Sequence, residues 1–243
     1  MRTEHKVQLF LLHFAGGSSY SYDFLRAYMD DNFEFIPLEI PGRGKRFHES
    51  LLATKAAAIE DYTKQIKKLR NHRKPYLIFG HSMGATLALS IAYEMEKIND
   101  IALSIIVSGN PGPGIKEPED PDNKGPRYLM NDADFKAELE ILGGIPEEIL
   151  NSDELYDFFE PIMRADFAIL EKESDYSEEE IKLRSSIYAL MGSEEERCEH
   201  IENWKKFTKG TFESNLLEGN HFFIHGHPEK LSTIILNSYK DNF

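Results

Sequence analysis

Short apolar runs alternate along this chain with amphipathic stretches. Val7 to His13, Phe33 to Leu38, Tyr76 to Phe79, Ile101 to Val107, Ile187 to Met191 and Thr211 to Leu217 predict strands. Between them, Tyr20 to Met29 predicts a helix. Thr54 caps a second to about Leu69, with Ala57, Ile59, Tyr62, Ile66 and Leu69 as its apolar face. An Ala/Leu-rich helix follows Gly84, another covers Glu199 to Phe207, and Pro228 to Tyr239 ends the pattern. The alternation predicts the α/β class, a mostly parallel central sheet with helices on both faces.

The pattern breaks after Val107. Pro111, Gly112, Pro113, Gly114, Pro118, Pro121, Gly125 and Pro126 crowd the next segment too densely for a regular element. Asp132 to Leu142 and Ser152 to Leu170 then predict helices divided by Gly143-Gly144-Ile145-Pro146. A helical insertion between strands reads as a hinge and lid over 109–180, with 1–108 and 181–243 forming the core. The alternative is that these helices merely pack on the sheet.

Composition narrows the class. The 243 residues, 41% hydrophobic with 16 phenylalanines, fit one α/β domain with an insertion. A net charge of -14 without a Lys/Arg block argues against nucleic acid as a partner. The lone Cys198 cannot form an internal disulfide, which suits a reducing cytoplasm. Arg2 and Lys6 before Val7 to Phe14 loosely imitate a secretory signal, but Glu4, Gln8 and His13 interrupt it and the run flows into Ala15-Gly16-Gly17. No segment approaches the length of a membrane span. The expectation is a soluble cytoplasmic protein with no membrane partner.

The candidate chemistry centres on Pro75 to Leu89, where Tyr76-Leu77-Ile78-Phe79 leads through Gly80-His81-Ser82-Met83-Gly84 into a helix. This is the nucleophile elbow G-x-S-x-G in its strand–turn–helix context, which makes Ser82 the candidate nucleophile. A serine hydroxyl needs a base, and His221, directly after the last strand, falls where the third member of the series Ser, acid, His belongs. His225 and His227 are rivals in the same segment. The acid belongs to the loop after the preceding strand, which offers Glu194, Glu195 and Glu196; Gly-x-x-acid spacing from Gly192 selects Glu195. Asp120 and Asp122 are remote alternatives. Met83, after the nucleophile, and Ala15, before two glycines, are the candidate N–H donors of an oxyanion hole. Arg43 and Arg46 invite substrate-binding roles, and Arg164-Ala165-Asp166 a brace between lid and core, but ion pairs account for each at least as well.

Phe14-Ala15-Gly16-Gly17-Ser18, Pro41-Gly42-Arg43-Gly44 with Arg46, the elbow, Arg164-Ala165-Asp166-Phe167 and Gly219-Asn220-His221-Phe222-Phe223 occur in an order spread over nearly the whole chain. In these motifs the sequence resembles the type II thioesterases of the α/β-hydrolase superfamily, the stand-alone editing enzymes of nonribosomal peptide and polyketide synthesis. It departs from them in two places: a glutamate stands at 195 where the family usually has aspartate, and Gly-Asn-His replaces Gly-Gly-His. The resemblance implies an α/β-hydrolase fold with a helical lid. It also implies hydrolysis of short or incorrect acyl groups from the phosphopantetheine thiol of acyl or peptidyl carrier domains. The substrate would then carry the only prosthetic group, with no metal or cofactor of the enzyme's own, and the expected state is a monomer. A carboxylesterase or lipase, or an acyltransferase, would share the same triad.

Overall fold

The computed structural model describes residues 6–116, 125–172 and 178–240. Arg2, Glu4, His5, Pro118, Asp120, Pro121 and Asp122, on which parts of the sequence reading rest, lie outside them.

The strands are β1 (Val7–Leu12), β2 (Phe33–Pro37), β3 (Tyr76–His81), β4 (Ser104–Ser108), β5 (Ser186–Gly192) and β6 (Phe212–Leu217). They form one sheet in the order β2-β1-β3-β4-β5-β6, every neighbouring pair parallel. β1, β3, β4 and β5 are buried along their whole length, as parallel strands covered on both faces must be. Parallel pairing brings the loops that follow the strands to one edge, where α/β folds place their sites.

The helices are α1 (Asp23–Arg26), α2 (Lys55–Leu69), α3 (Met83–Lys97), then α4 (Asp132–Leu142), α5 (Glu147–Leu150) and α6 (Asp153–Glu171) between β4 and β5, and α7 (Pro228–Lys240). Ile59, Tyr62, Leu87, Ile91 and Trp204 pack with one face of the sheet, whereas Leu25, Leu231 and Ile235 pack with the other. The inserted helices have a small core of their own around Phe135, Leu139, Leu150, Tyr156, Met163 and Phe167. Ile169 of α6 belongs instead to the main core, so α6 is shared between the two.

Three local expectations are corrected. Tyr20 to Met29 contains only the single helical turn Asp23–Arg26. The backbone here closes as successive turns, with Asp23, Leu25, Tyr28 and Met29 N–H each donating to the carbonyl three residues back, while the buried Tyr22 hydroxyl donates to Leu12 O at 2.8 Å and ties the segment to the end of β1. Thr54 does cap α2, accepting from Ala57 N–H at 3.3 Å, but Ala58 rather than Ala57 is buried. Leu69, in the last turn, stays 46% exposed. The one-turn α5 was not foreseen, because four residues behind Pro146 carry no periodicity to detect. No helix among the described residues is long and apolar enough to cross a membrane.

Candidate active site

Ser82 sits between β3 and α3 with φ 54 and ψ -113, a conformation a non-glycine residue adopts only under strain. The neighbourhood enforces it. Ser82 N–H donates to Ser108 O on β4 at 2.7 Å, and Ser82 O accepts from Ala85 and Thr86 N–H. A Cβ at Gly80 would collide with the Gly84 carbonyl, and one at Gly84 with the Leu12 carbonyl of β1, so strand and helix can pass only because both positions are glycine. Met83 N–H opens α3, among the amides with no partner inside the helix.

The loops after β5 and β6 carry the acid and the base. His221 Nδ1 and Glu195 Oε2 are 2.6 Å apart, and the other Glu195 oxygen accepts from Gly192 N–H at 2.6 Å. Ser193 N–H donates to Leu217 O and Glu194 N–H to Gly219 O, so backbone bonds tie the two loops together. The Glu195 side chain is 7% exposed and that of His221 27%, whereas Glu194 and Glu196 are exposed. Of the three glutamates, the structure brings Glu195 to His221. The rival histidines are engaged elsewhere: His227 Nε2 lies 2.7 Å from Glu218 O, and His225 packs on Phe24.

His81 lies against His221, with ring centroids 4.9 Å apart, and its Nδ1 is 3.0 Å from Ser108 Oγ. Burial first, and then the neighbouring His221, hold its pKa well below the usual histidine range, so it stays a neutral imidazole beside the base.

Ala15 lies in the turn after β1, closed by Gly17 N–H donating to Phe14 O at 2.9 Å. The neighbouring Gly16 N–H donates to Asp166 Oδ2 of α6 at 2.8 Å. Asp166 also receives Arg43 through two hydrogen bonds of 2.6 and 2.7 Å, and Arg43 donates to Gly17 O at 3.3 Å. Asp166 is 0% and Arg43 4% exposed, and Met163 of α6 covers Gly16. Burial works against the Arg43 charge, but the Asp166 carboxylate outweighs it and raises the Arg43 pKa. His13, buried beside this pair, is pushed down to about 4 by burial and then by Arg43. Arg46 pairs with Asp61 at 2.6 Å and with Glu49, and Arg164 with Asp132 at 2.9 Å and with Glu160. All three arginines are thus held in ion pairs. The tie from Asp166 to Gly16 was missed in the sequence, where 150 residues separate the partners. Among the described residues no group of three or more His, Cys, Asp or Glu is placed to hold a metal ion.

This arrangement is competent for acyl transfer: a hydroxyl on an elbow, a carboxylate-oriented imidazole at the same sheet edge, and two candidate amide donors. Comparison with known proteins points the same way. The thioesterase domain family model matches residues 7–239. A Brevibacillus parabrevis protein named linear gramicidin dehydrogenase LgrE is 31% identical, the match covering 98% of this chain and 91% of the relative. Among solved structures, ClbQ from the colibactin NRPS/PKS pathway superposes with a TM-score of 0.88 at 25% identity, over 98% of each chain. The type II thioesterase BorB from the borrelidin biosynthetic cluster gives 0.83 at 27% identity, over 98% of this chain and 94% of BorB.

Proposed function

Since the chain belongs to the thioesterase family, we propose that it hydrolyses acyl groups from the phosphopantetheine thiol of acyl or peptidyl carrier domains, proofreading a nonribosomal peptide or polyketide synthase. The observation that carries this reading is the 2.6 Å contact between Glu195 and His221 at the sheet edge that bears the Ser82 elbow.

In this reading Glu195 holds the Nδ1–H tautomer of His221, leaving Nε2 to take the Ser82 proton as the hydroxyl attacks the thioester carbonyl. The N–H groups of Ala15 and Met83 receive the negative oxygen. The C–S bond breaks and the departing thiolate takes the proton held on His221 Nε2, which frees the imidazole to act as a base again; because a thiolate is a good leaving group, this protonation need not assist the bond breaking as it must in amide hydrolysis. Water, deprotonated by His221, then attacks the acyl-serine; the acid departs and Ser82 regains its proton. The insertion at 109–180 serves as a lid over this edge. The protein acts as a cytoplasmic monomer, with the carrier supplying the phosphopantetheine. The ClbQ and BorB likenesses support the carrier substrate. The name of the LgrE relative speaks of dehydrogenation, but a hydride transfer makes no use of a serine on an elbow beside an imidazole–carboxylate pair.

The test loads a carrier domain with an acetyl-phosphopantetheine arm and follows its intact mass with the wild type and with Ser82→Ala. Loss of the acetyl mass with the wild type alone is expected. Survival of the acyl carrier while a simple oxygen ester is cleaved would replace this reading by an esterase, and transfer of acetyl to an added alcohol or amine would replace it by an acyltransferase.

A further inference from the structure

A single hydrogen bond does not fix a ring. Glu195 holds His221 at Nδ1 alone, and an imidazole gripped at one atom can still turn about that bond and carry Nε2 off its target. The plane of His221 is set by what packs on it. His81, at the end of β3, lies 4.9 Å away between ring centroids with 37° between the planes. Gly109 is packed against both rings: a Cβ there would stand 2.5 Å from His81 Cε1 and 3.1 Å from His221 Cε1. Phe222 meets His221 from another side at 83°.

His81 is itself immobilised. It is 0% exposed, and the rings of Phe14 and Phe223 stand nearly perpendicular to it. Ser108 Oγ, at the end of β4, lies 3.0 Å from His81 Nδ1. The carbonyl of the same Ser108 accepts from Ser82 N–H at 2.7 Å, and the next residue, Gly109, donates its N–H to Leu190 O on β5 at 2.8 Å. One strand end therefore holds the nucleophile through its backbone and the ring behind the base through its hydroxyl. Because burial keeps His81 neutral, it does not oppose the charge that His221 acquires on taking a proton.

We propose that His81 is a positioning residue: held by the Ser108 hydroxyl, it sets the plane of the His221 imidazole and so directs Nε2 to Ser82. The inference rests on Ser82 and His221 being the nucleophile and base of the reaction proposed above. Glu195 fixes one atom of the base, and His81 fixes its orientation.

The experiment follows by intact mass the labelling of Ser82 with a fluorophosphonate. This reagent forms the Oγ–P bond, expels fluoride and leaves the serine proton on His221, so it needs the base but no carrier. The rate constant belongs to the folded molecules and the final amplitude to their fraction. A residue that only supports the fold therefore moves the amplitude alone. Ser108→Ala and His81→Phe should each lower the rate constant roughly tenfold, as a shift of Nε2 by a fraction of an ångström should. The double variant should be no slower than either single, since both remove the same bond. Ser108→Thr, which keeps the hydroxyl, should label at close to the wild-type rate. With a carrier-bound acetyl thioester the same loss should fall on kcat and leave KM unchanged. An unchanged rate constant in either Ser108→Ala or His81→Phe would overturn the assignment. A wild type that labels but spares the carrier thioester would overturn the thioesterase reading alone, the labelling rates still deciding the role of His81. A wild type that does not label at all would overturn both.

Discussion

The two sides of Ser82 are built in opposite ways. On the acid–base side, Glu195 and His221 come from consecutive strand-end loops, stand 26 residues apart and are joined by short backbone ties. On the side of Ala15, the turn is held by Asp166 and Arg43, which are 123 residues apart and buried together as a charge pair. The first side presents a partly exposed imidazole that, under the proposed mechanism, carries a proton. The second has sealed its charges inside the protein, where their loss is felt by the fold. Substitutions on the two sides should therefore fail differently, one in rate and the other in stability.

The largest effect is expected at Glu195. Glu195→Gln keeps the shape and an acceptor for Gly192 N–H, but its amide group favours the wrong tautomer of His221. Under the proposed mechanism kcat should fall roughly 10³- to 10⁴-fold with the melting temperature nearly unchanged. Steady-state kinetics beside a thermal melt measures both, and an equal loss of stability would erase the contrast.

Asp166→Ala should show the reverse. Removing one partner of a buried pair leaves Arg43 as an uncompensated charge, which costs about 3–5 kcal/mol. The molecules that remain folded should lose less than tenfold in kcat, because the bond from Gly17 N–H to Phe14 O still closes the Ala15 turn. Urea unfolding, with active serines titrated by a covalent probe, separates the folded fraction from the rate per folded molecule. A large loss of kcat per titrated serine would mean that Asp166 serves the reaction as directly as Glu195.

Acid should stress the second side through His13. Its folded pKa of about 4 lies below the ordinary histidine value of 6.5, so between those values the unfolded chain binds the extra proton. The stability this site contributes is complete above pH 6.5 and is lost as pH falls towards 4, by about 3 kcal/mol in all. His81, whose pKa is also lowered by burial, acts in the same direction. Chemical denaturation at pH 7 and pH 5 should show a shallower loss in His13→Asn than in the wild type; identical slopes would clear His13 of the effect.

The same contrast explains what could be read from the sequence. The inner strands β1, β3, β4 and β5 were legible because each is a largely apolar run closed by turn residues, and the elbow because sterics permit only glycine at 80 and 84. Glu195 and His221 followed from their positions after strands. The Glu194-Glu195-Glu196 run otherwise looks like ordinary surface; Gly-x-x-acid spacing singles out its middle member, and the contacts from Gly192 N–H and His221 fall on that residue. Nothing in the sequence pairs Arg43 with Asp166, since no periodicity spans such a separation. The helix expected over Tyr20 to Met29 is replaced by successive turns, their N–H groups donating three residues back, with Tyr22 anchored to the end of β1, a tertiary contact that periodicity does not reveal.

The smallest effect bears on where the insertion divides. α6 is tied to the core by Asp166 and by Ile169, but the turn between α4 and α5 meets it differently: Gly144, at φ +80, lies flat on the ring of Phe222, beside His221. A Cβ there would enter the Phe222 ring, and the backbone angle itself disfavours any side chain. Gly144→Ala should therefore lift this turn at a cost of about 1 kcal/mol, within the range for an unsuited left-handed residue. Amide hydrogen exchange should then speed up across α4 and α5 while α6 keeps its protection. If α6 exchanged faster in step with them, all three inserted helices would move as one body, and the buried Arg43–Asp166 pair would open with them.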